Sequence, residues 1–224
     1  MKLDLTNLVH DAIAAMILFT YVIMVVFGTK ILYHMMILRG IKHNVAIYFN
    51  RKIIHLAAGG IVAILLPYVF HEPFIPFILS LILALVTYIP HRIGKLMYWF
   101  QIEDNMYEVN FCIAWGVSVL VLWLILGDPK MAILPAILIS FGDAVTGIVR
   151  NILFGRRTKH WIGNIAMASV TIPLGIIYVG IVGGIISIIS AIVERFEFKP
   201  IDDNILIGLI STAMLILARS LSFI

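Results

Sequence analysis

An acidic side chain inside an apolar run is the first place to look for chemistry. In the stretch FGDAVTGIVRNILFGRRTKHWIGNIA, Asp143 lies among Phe, Ala, Val and Ile, and Arg150, Arg156, Arg157 and Lys159 follow it. An ionised carboxylate at membrane depth is costly and by default marks function. A hard oxygen ligand beside several cations is what a magnesium-bound polyphosphate requires, the carboxylate for the metal and the cations for the phosphates. On a helix, Asp143, Gly147, Arg150 and Asn151 form one polar stripe, and Gly142, Ala144 and Gly147 allow close approach of a neighbouring helix or a ligand. Two plainer readings stand beside this one. An Asp143–Arg150 pair would only hold a bundle together, and a basic loop would only set membrane orientation.

Three further polar clusters are candidates. In RKIIHLAAGG, Arg51, His55 and Gly59 stack on one helix face at the membrane surface, with Lys52 beside them. Two cations at the mouth of a helix, with a histidine one turn down, suit phosphate binding, although basic flanks are routine in membrane proteins. In ERFEFKPIDDN, Glu194 ends one helix and Asp202, Asp203 and Asn204 precede the next. An acid here can complete a metal site with Asp143, while Asn204 or Asp203 can equally be a helix N-cap. The fourth cluster is Glu103, Asp104 and Glu108, where Glu108 shares a face with Cys112 and Trp115. Glu108 reads as a residue of a solvated loop, with a general base or metal ligand as the other possibility.

The elements that must position these groups are membrane helices. The chain of 224 residues is 62% hydrophobic and 12% charged, with mean hydropathy +1.08, against roughly 25% charged in soluble proteins. That length accommodates about seven or eight spans of roughly 20 residues in one domain. The predicted spans are 12–37, 53–70, 74–90, 109–126 and 131–154, then a run over 164–193, then 204–222. The run over 164–193 is too long for one ordinary span and carries Gly180, Gly183 and Gly184 near its middle. It is predicted to fold as a hairpin of 164–179 and 184–195.

Charge supports the hairpin. With it, Lys30, Arg39, Lys42, Arg51, Lys52, Arg92, Lys95, Arg150, Arg156, Arg157, Lys159, Arg195 and Lys199 share one face, and only Lys2, Lys130 and Arg219 take the other. The basic face is then cytoplasmic and both termini lie outside. The fold expected is an all-α polytopic bundle of about eight helices, with a catalytic core over about 51–204. The opening MKLDLTNLVHDAIAAM lacks the basic start of a cleaved signal peptide. Net charge +4 and pI near 9.2 suit cytoplasmic loops and give no reason to expect nucleic acid. The single Cys112 excludes an internal disulfide. Walker A, HExxH, GxSxG and CxxC patterns are absent, so a nucleotide site must be assembled from scattered residues.

Three blocks, in order, give the chain a likeness. They are Arg51-Lys52-x-x-His55, then Gly142-Asp143-Ala144 with Gly155 before a basic loop, then Glu194 followed by Asp203-Asn204. With them the chain resembles the CTP-dependent lipid kinases: dolichol and polyprenol kinases, phytol kinases and CTP-dependent diacylglycerol kinases. The resemblance implies a compact multi-helix membrane enzyme with a cytoplasmic-side nucleotide site. It would transfer the γ-phosphoryl of CTP to a long-chain isoprenoid alcohol such as dolichol or polyprenol. Asp143 would hold magnesium with Glu194 or Asp203. Arg51, Lys52, Gly142, Arg156, Arg157, Lys159 and Asn204 would bind the nucleotide, and His55 would orient a phosphate or receive the alcohol proton. One departure stands out: many members carry Lys-Ser-x-Glu-Gly in the basic loop, where this chain has Lys159-His160-Trp161-Ile162-Gly163. A cytidylyltransferase making a CDP-lipid, or a transporter of an anionic solute, are the other functions these residue types permit. Nothing in the sequence sets an oligomeric state.

Overall fold

A computed structural model describes residues 5–198 and 201–224. Seven helical runs are long and apolar enough to cross a membrane: α1 (Leu5–Leu38), α2 (His43–Val69), α3 (Phe74–Ile93), α4 (Tyr107–Leu126), α5 (Pro129–Phe154), α6 (Trp161–Val193) and α7 (Asp203–Ser220). The protein is an all-α polytopic bundle, and no strand occurs among the described residues. Lys2 and Lys199, which entered the charge count, lie outside them.

In a bilayer, a helix apolar on all sides is not thereby a core helix, because lipid is as good a neighbour as protein. The helices divide accordingly. Only 17% of the most apolar window of α1, and of α3, is buried, against 78% for α5. Helix α5 is the axis of the bundle, with Ile133, Leu134, Ile137, Leu138 and Ile139 fully buried. Helices α1 and α3 form the lipid-facing rim. Asp11 of α1 clasps the α2–α3 turn, where its carboxylate accepts from the His71 backbone N–H at 2.9 Å and meets His71 Nδ1 at 2.7 Å.

The run over α6 folds back on itself at Gly180, whose backbone (φ 64°, ψ −153°) is non-helical. Ser187 Oγ donates to the Thr171 carbonyl at 2.9 Å, and Asn164 Nδ2 donates to the Ala191 carbonyl at 2.5 Å. These pairings, with Gly175 against Gly183, define two antiparallel limbs, 161–179 and 181–193. At 1.5 Å per residue they are about 28 and 20 Å long. The hairpin therefore returns Glu194 to the end of the bundle where α6 began.

That φ/ψ combination is close to glycine-only. Gly180→Ala is expected to destabilise the protein by about 1–3 kcal/mol, seen as a lower thermal unfolding midpoint in detergent. Gly28→Ala, in an open stretch of α1 with nothing within 4 Å of the new methyl, should leave the midpoint unchanged.

Helix α2 departs from its predicted span. It begins at His43, ten residues before the apolar run, because 43–50 already has a packed face. Ala46, Ile47 and Tyr48 are buried, and Asn50 Nδ2 donates to the carbonyls of Thr29 (2.7 Å) and Trp99 (2.9 Å). Arg51 and Lys52 consequently lie two turns inside a helix and are buried, rather than flanking its mouth.

Candidate functional site

Both helices that meet at Asp143 change winding there. Helix α2 opens into a π-helical segment at His55–Gly60, and α5 has another at Leu138–Gly142, ending one residue before Asp143. Such segments inside α-helices occur frequently at functional sites. Gly59 lets Phe111 and Ser140 close on the first segment; a methyl there would lie 2.5 Å from Phe111 Cζ. The consequence is a direct contact between two of the sequence clusters. Lys52 Nζ donates to Asp143 Oδ1 at 2.5 Å, and His55 Nδ1 meets Asp143 Oδ2 at 3.0 Å.

The third cluster arrives by the α6 hairpin. Arg150 is 1% exposed and forks onto Glu194, with Nη1 to Oε1 at 2.7 Å and Nη2 to Oε2 at 2.9 Å. Its Nη2 also donates to Asn164 Oδ1 and its Nε to the His160 carbonyl, each at 2.9 Å. Lys159 Nζ bridges Glu194 Oε1 at 3.1 Å and Asp203 Oδ2 at 2.6 Å. The Asp143–Arg150 pair weighed in the sequence does not form, since each takes a partner from another helix. Carboxylate oxygens of Asp143, Glu194 and Asp203 thus lie within 4.8 Å of one another.

Three buried carboxylates this close repel strongly unless matched. Lys52, Arg150 and Lys159 supply an equal number of charges, and Arg157 lies 3.9 Å from Asp203. Burial alone would lower the pKa of the Lys159 ammonium, but Asp203 and Glu194 raise it above the ordinary lysine value. Arg157 is likewise raised, with burial outweighed by Asp203 and Tyr107. Both stay cationic. Burial, with Asp203 adjacent, pushes the Asp202 carboxyl up to about 6.

Asp202 is the N-cap of α7, accepting from the Ile205 N–H at 3.1 Å. This corrects the capping role considered for Asn204 and Asp203, and it leaves Asp203 to join the other acids. Asn204 is buried, with Nδ2 3.5 Å from Asp202 Oδ2 and Oδ1 unpartnered. The departure at His160-Trp161-Ile162 also acquires a structural account. His160 Nδ1 accepts from the Ile162 N–H and caps α6, and Trp161 lies under the Arg195 guanidinium at 4.6 Å.

The remaining candidates are distributed as follows. Gly142 packs on Met167 and Thr171 of α6 and presents no open face to a ligand. Arg156 and Arg157 line a cleft of 1020 Å³ together with Lys42, Tyr48 and Arg51, and the acids Glu103 and Asp104 of the fourth cluster line it too. Arg51 is 3% exposed and has no ion pair among the described residues; its guanidinium lies 4.3 Å from the Tyr107 ring centre. Arg51 and His55 also line a narrow groove, 110 Å³ in volume, between α1, α2, α3 and α4. The rest of the groove is mainly apolar, walled by Leu18, Val22, Leu79 and Leu83, with Phe111 stacked on His55 at 4.0 Å.

Glu108 overturns its sequence reading. It is 6% exposed, not solvated, and its Oε1 lies 2.6 Å from both His91 Nε2 and Gln101 Nε2. It lines the same groove with Cys112 and Trp115, the face-sharing that helical spacing predicts. Asn164, His91 and Gln101 were not legible as site residues, and Arg150 was read only in a stripe with Asp143, not as the partner of Glu194. Arg150 and Asn164 lay in the stretch first singled out, but their partner on the α6 return limb is visible only once the hairpin closes.

Comparison with protein-family models, with curated proteins and with solved structures finds no match. The functional reading therefore stands on the chemistry of the site and on the three sequence blocks.

Gly147 makes that site possible. A methyl on it would overlap the Lys52 stem at Cε and lie 2.8 Å from Cδ and Cγ. Gly147→Ala is expected to push the Lys52 ammonium off Asp143 and cost about 1–3 kcal/mol of packing strain. Thermal unfolding alongside an activity assay checks this, with activity expected to fall further than stability.

Proposed function

We propose that the protein is a membrane lipid kinase that transfers the γ-phosphoryl of CTP to the hydroxyl of a long-chain isoprenoid alcohol. One observation carries the reading. Arg51 lines both the cleft, where Lys42, Arg51, Arg156 and Arg157 outnumber Glu103 and Asp104, and the mainly apolar groove, and His55, one turn further along α2, lines the groove and bonds Asp143. An anionic nucleotide and a lipid tail would thus be brought together at the carboxylate cluster. CTP as the donor, and an isoprenoid as the acceptor, come from the resemblance of the three blocks.

The donor set fits magnesium. Three convergent carboxylate oxygens are hard ligands, with no sulfur or imidazole nitrogen among them. Asp143, Glu194 and Asp203 would hold the ion, which when bound would neutralise charge on the phosphates. The chain's own residues supply the rest. Arg51, Arg156 and Arg157 would take the triphosphate along the cleft. Lys52 and Lys159, now the counter-cations of the acids, have flexible stems that allow them to turn to phosphate oxygens. His55, which lines the groove, is held by Asp143 through Nδ1, and its Nε2 is buried without a partner. With Nδ1 protonated toward the carboxylate, Nε2 is a base positioned for the alcohol proton. Little proton removal is needed early in a loose phosphoryl-transfer transition state, so positioning and charge neutralisation would dominate. The charge asymmetry of the loops supports a cytoplasmic location for this end of the bundle.

The test uses purified protein with magnesium, a polyprenol and CTP labelled at the α- or the γ-phosphate. Label from the γ-position is expected on the lipid, and none from the α-position. Transfer of α-label would instead identify a cytidylyltransferase. No lipid product, together with solute uptake into liposomes, would indicate a transporter.

A further inference from the structure

Among the described residues, ten buried side-chain polar atoms have no hydrogen-bond partner. Three of them, Arg51 Nε, His55 Nε2 and Glu108 Oε2, belong to residues lining one mainly apolar groove. Unpartnered buried polar atoms are unfavourable and each calls for an explanation. Three such residues on the wall of one mainly apolar channel are the pattern of a site for a ligand with a small polar head and a hydrocarbon body.

The chemistry of the three narrows that head. Arg51 can only donate, and ionised Glu108 can only accept. Both line the groove, and Arg51 forms no ion pair among the described residues. A single oxygen between them, about 2.9 Å from the nitrogen and 2.7 Å from the carboxylate oxygen, would serve both. A hydroxyl is the smallest group that accepts from one side and donates to the other; its one proton would face Glu108 in the bound alcohol and turn to His55 Nε2 only as the phosphoryl bond forms.

Glu108 is also held for this task. His91 and Gln101 both bind Oε1, and Gln101 is itself fixed by donating to the Thr87 carbonyl at 2.8 Å and accepting from the Met97 N–H at 2.9 Å. Oε2 is the oxygen left without a partner.

The body of the groove offers nothing further to a polar ligand. Its Ser80 hydroxyl donates to the Phe77 carbonyl at 2.7 Å, and its Thr87 hydroxyl to Leu83 and Ala84 at 2.9 and 3.0 Å. The ester carbonyls of a diacylglycerol would find no donor there, whereas a hydrocarbon tail requires none.

We infer that Arg51 and Glu108 form a hydroxyl-recognition pole, with Glu108 the acceptor that selects a long-chain mono-alcohol over its ether and over diacylglycerol. This deepens the kinase reading and rests on it for the use to which the bound alcohol is put.

The test is a binding measurement on the full-length protein in nanodiscs, with radiolabelled geranylgeraniol as probe. Competitors are unlabelled geranylgeraniol, its methyl ether and dioleoylglycerol. The wild-type protein is expected to prefer the alcohol to the methyl ether at least tenfold and to bind dioleoylglycerol no better than the ether. In Glu108→Gln, which retains shape but replaces a carboxylate oxygen with an amide donor, that preference is expected to fall to about twofold or less, with CTP binding unchanged. Equal wild-type binding of alcohol and ether would overturn the pole, and so would full preference in a folded Glu108→Gln protein. Dioleoylglycerol competing as well as the alcohol would overturn the mono-alcohol assignment. Because the alcohol-to-ether comparison needs no variant, poor folding of Glu108→Gln leaves it decisive. A wild-type protein that keeps the preference but forms no phosphorylated lipid would sink the kinase reading and leave the pole standing.

Discussion

Asp143→Asn is expected to lower phosphoryl transfer by about 10³-fold or more, equivalent to roughly 4 kcal/mol of transition-state stabilisation. The carboxylate binds both Lys52 and His55 and is one of the three convergent acids. Asparagine keeps the shape and an acceptor for His55 but removes the charge. The same change leaves the Lys52 ammonium buried without a counter-charge, and losing one partner of a buried pair costs about 3–5 kcal/mol. A fall in activity alone would therefore mix chemistry with folding. Adding Lys52→Met to Asp143→Asn removes both charges together, so most of the lost thermal stability is expected to return while transfer remains abolished. Thermal unfolding and γ-label transfer, measured on both variants, separate the two effects. Near-normal turnover in Asp143→Asn would remove this residue from the reacting centre.

The second large effect concerns Arg150, which touches neither the cleft nor the groove. Its fork on Glu194, its bond to Asn164 and its bond to the His160 carbonyl tie the basic loop, the start of α6 and the end of the return limb together. Lysine carries the same charge but cannot reproduce a planar fork. Arg150→Lys is expected to destabilise by about 1–3 kcal/mol as buried acceptors lose their donors, a fall of roughly 5 °C in the unfolding midpoint for a chain of this size. Activity should fall with it, since Glu194 loses the contacts that hold it beside Asp143 and Asp203. Arg156→Lys, on the exposed loop, is the control, expected to stay within about 0.5 kcal/mol of wild type. Equal stability of the two variants would contradict the role assigned to Arg150.

Helix boundaries were legible where they coincide with a composition change. Asp128-Pro129 opens α5 as a capped turn, with Asp128 Oδ1 accepting from the Lys130 N–H at 2.8 Å. Gly94, Gly127 and Gly155 end α3, α4 and α5 in left-handed conformations. The start of α2 was not legible by hydropathy, because HNVAIYFN is mixed in composition and helical for packing reasons. The winding changes at His55 and Asp143 carry no sequence signal beyond nearby glycines.

The composition alone made this a bundle of membrane helices, since no soluble fold buries so much apolar side chain. Asp143 stood out alone because an acid at that depth has a cost that sequence position suffices to reveal. The hairpin was also readable, from a run too long to span once and glycines at its centre. Which charges meet was decided only in three dimensions. Asp143 turned to α2 rather than to Arg150 on its own helix, Asp202 took the cap and released Asp203, and Glu108 was drawn from an apparently polar loop into the core. The physical reason is common to all three. A buried charge takes the partner that best satisfies its geometry among all the helices packed around it, and spacing along one helix says nothing about the others.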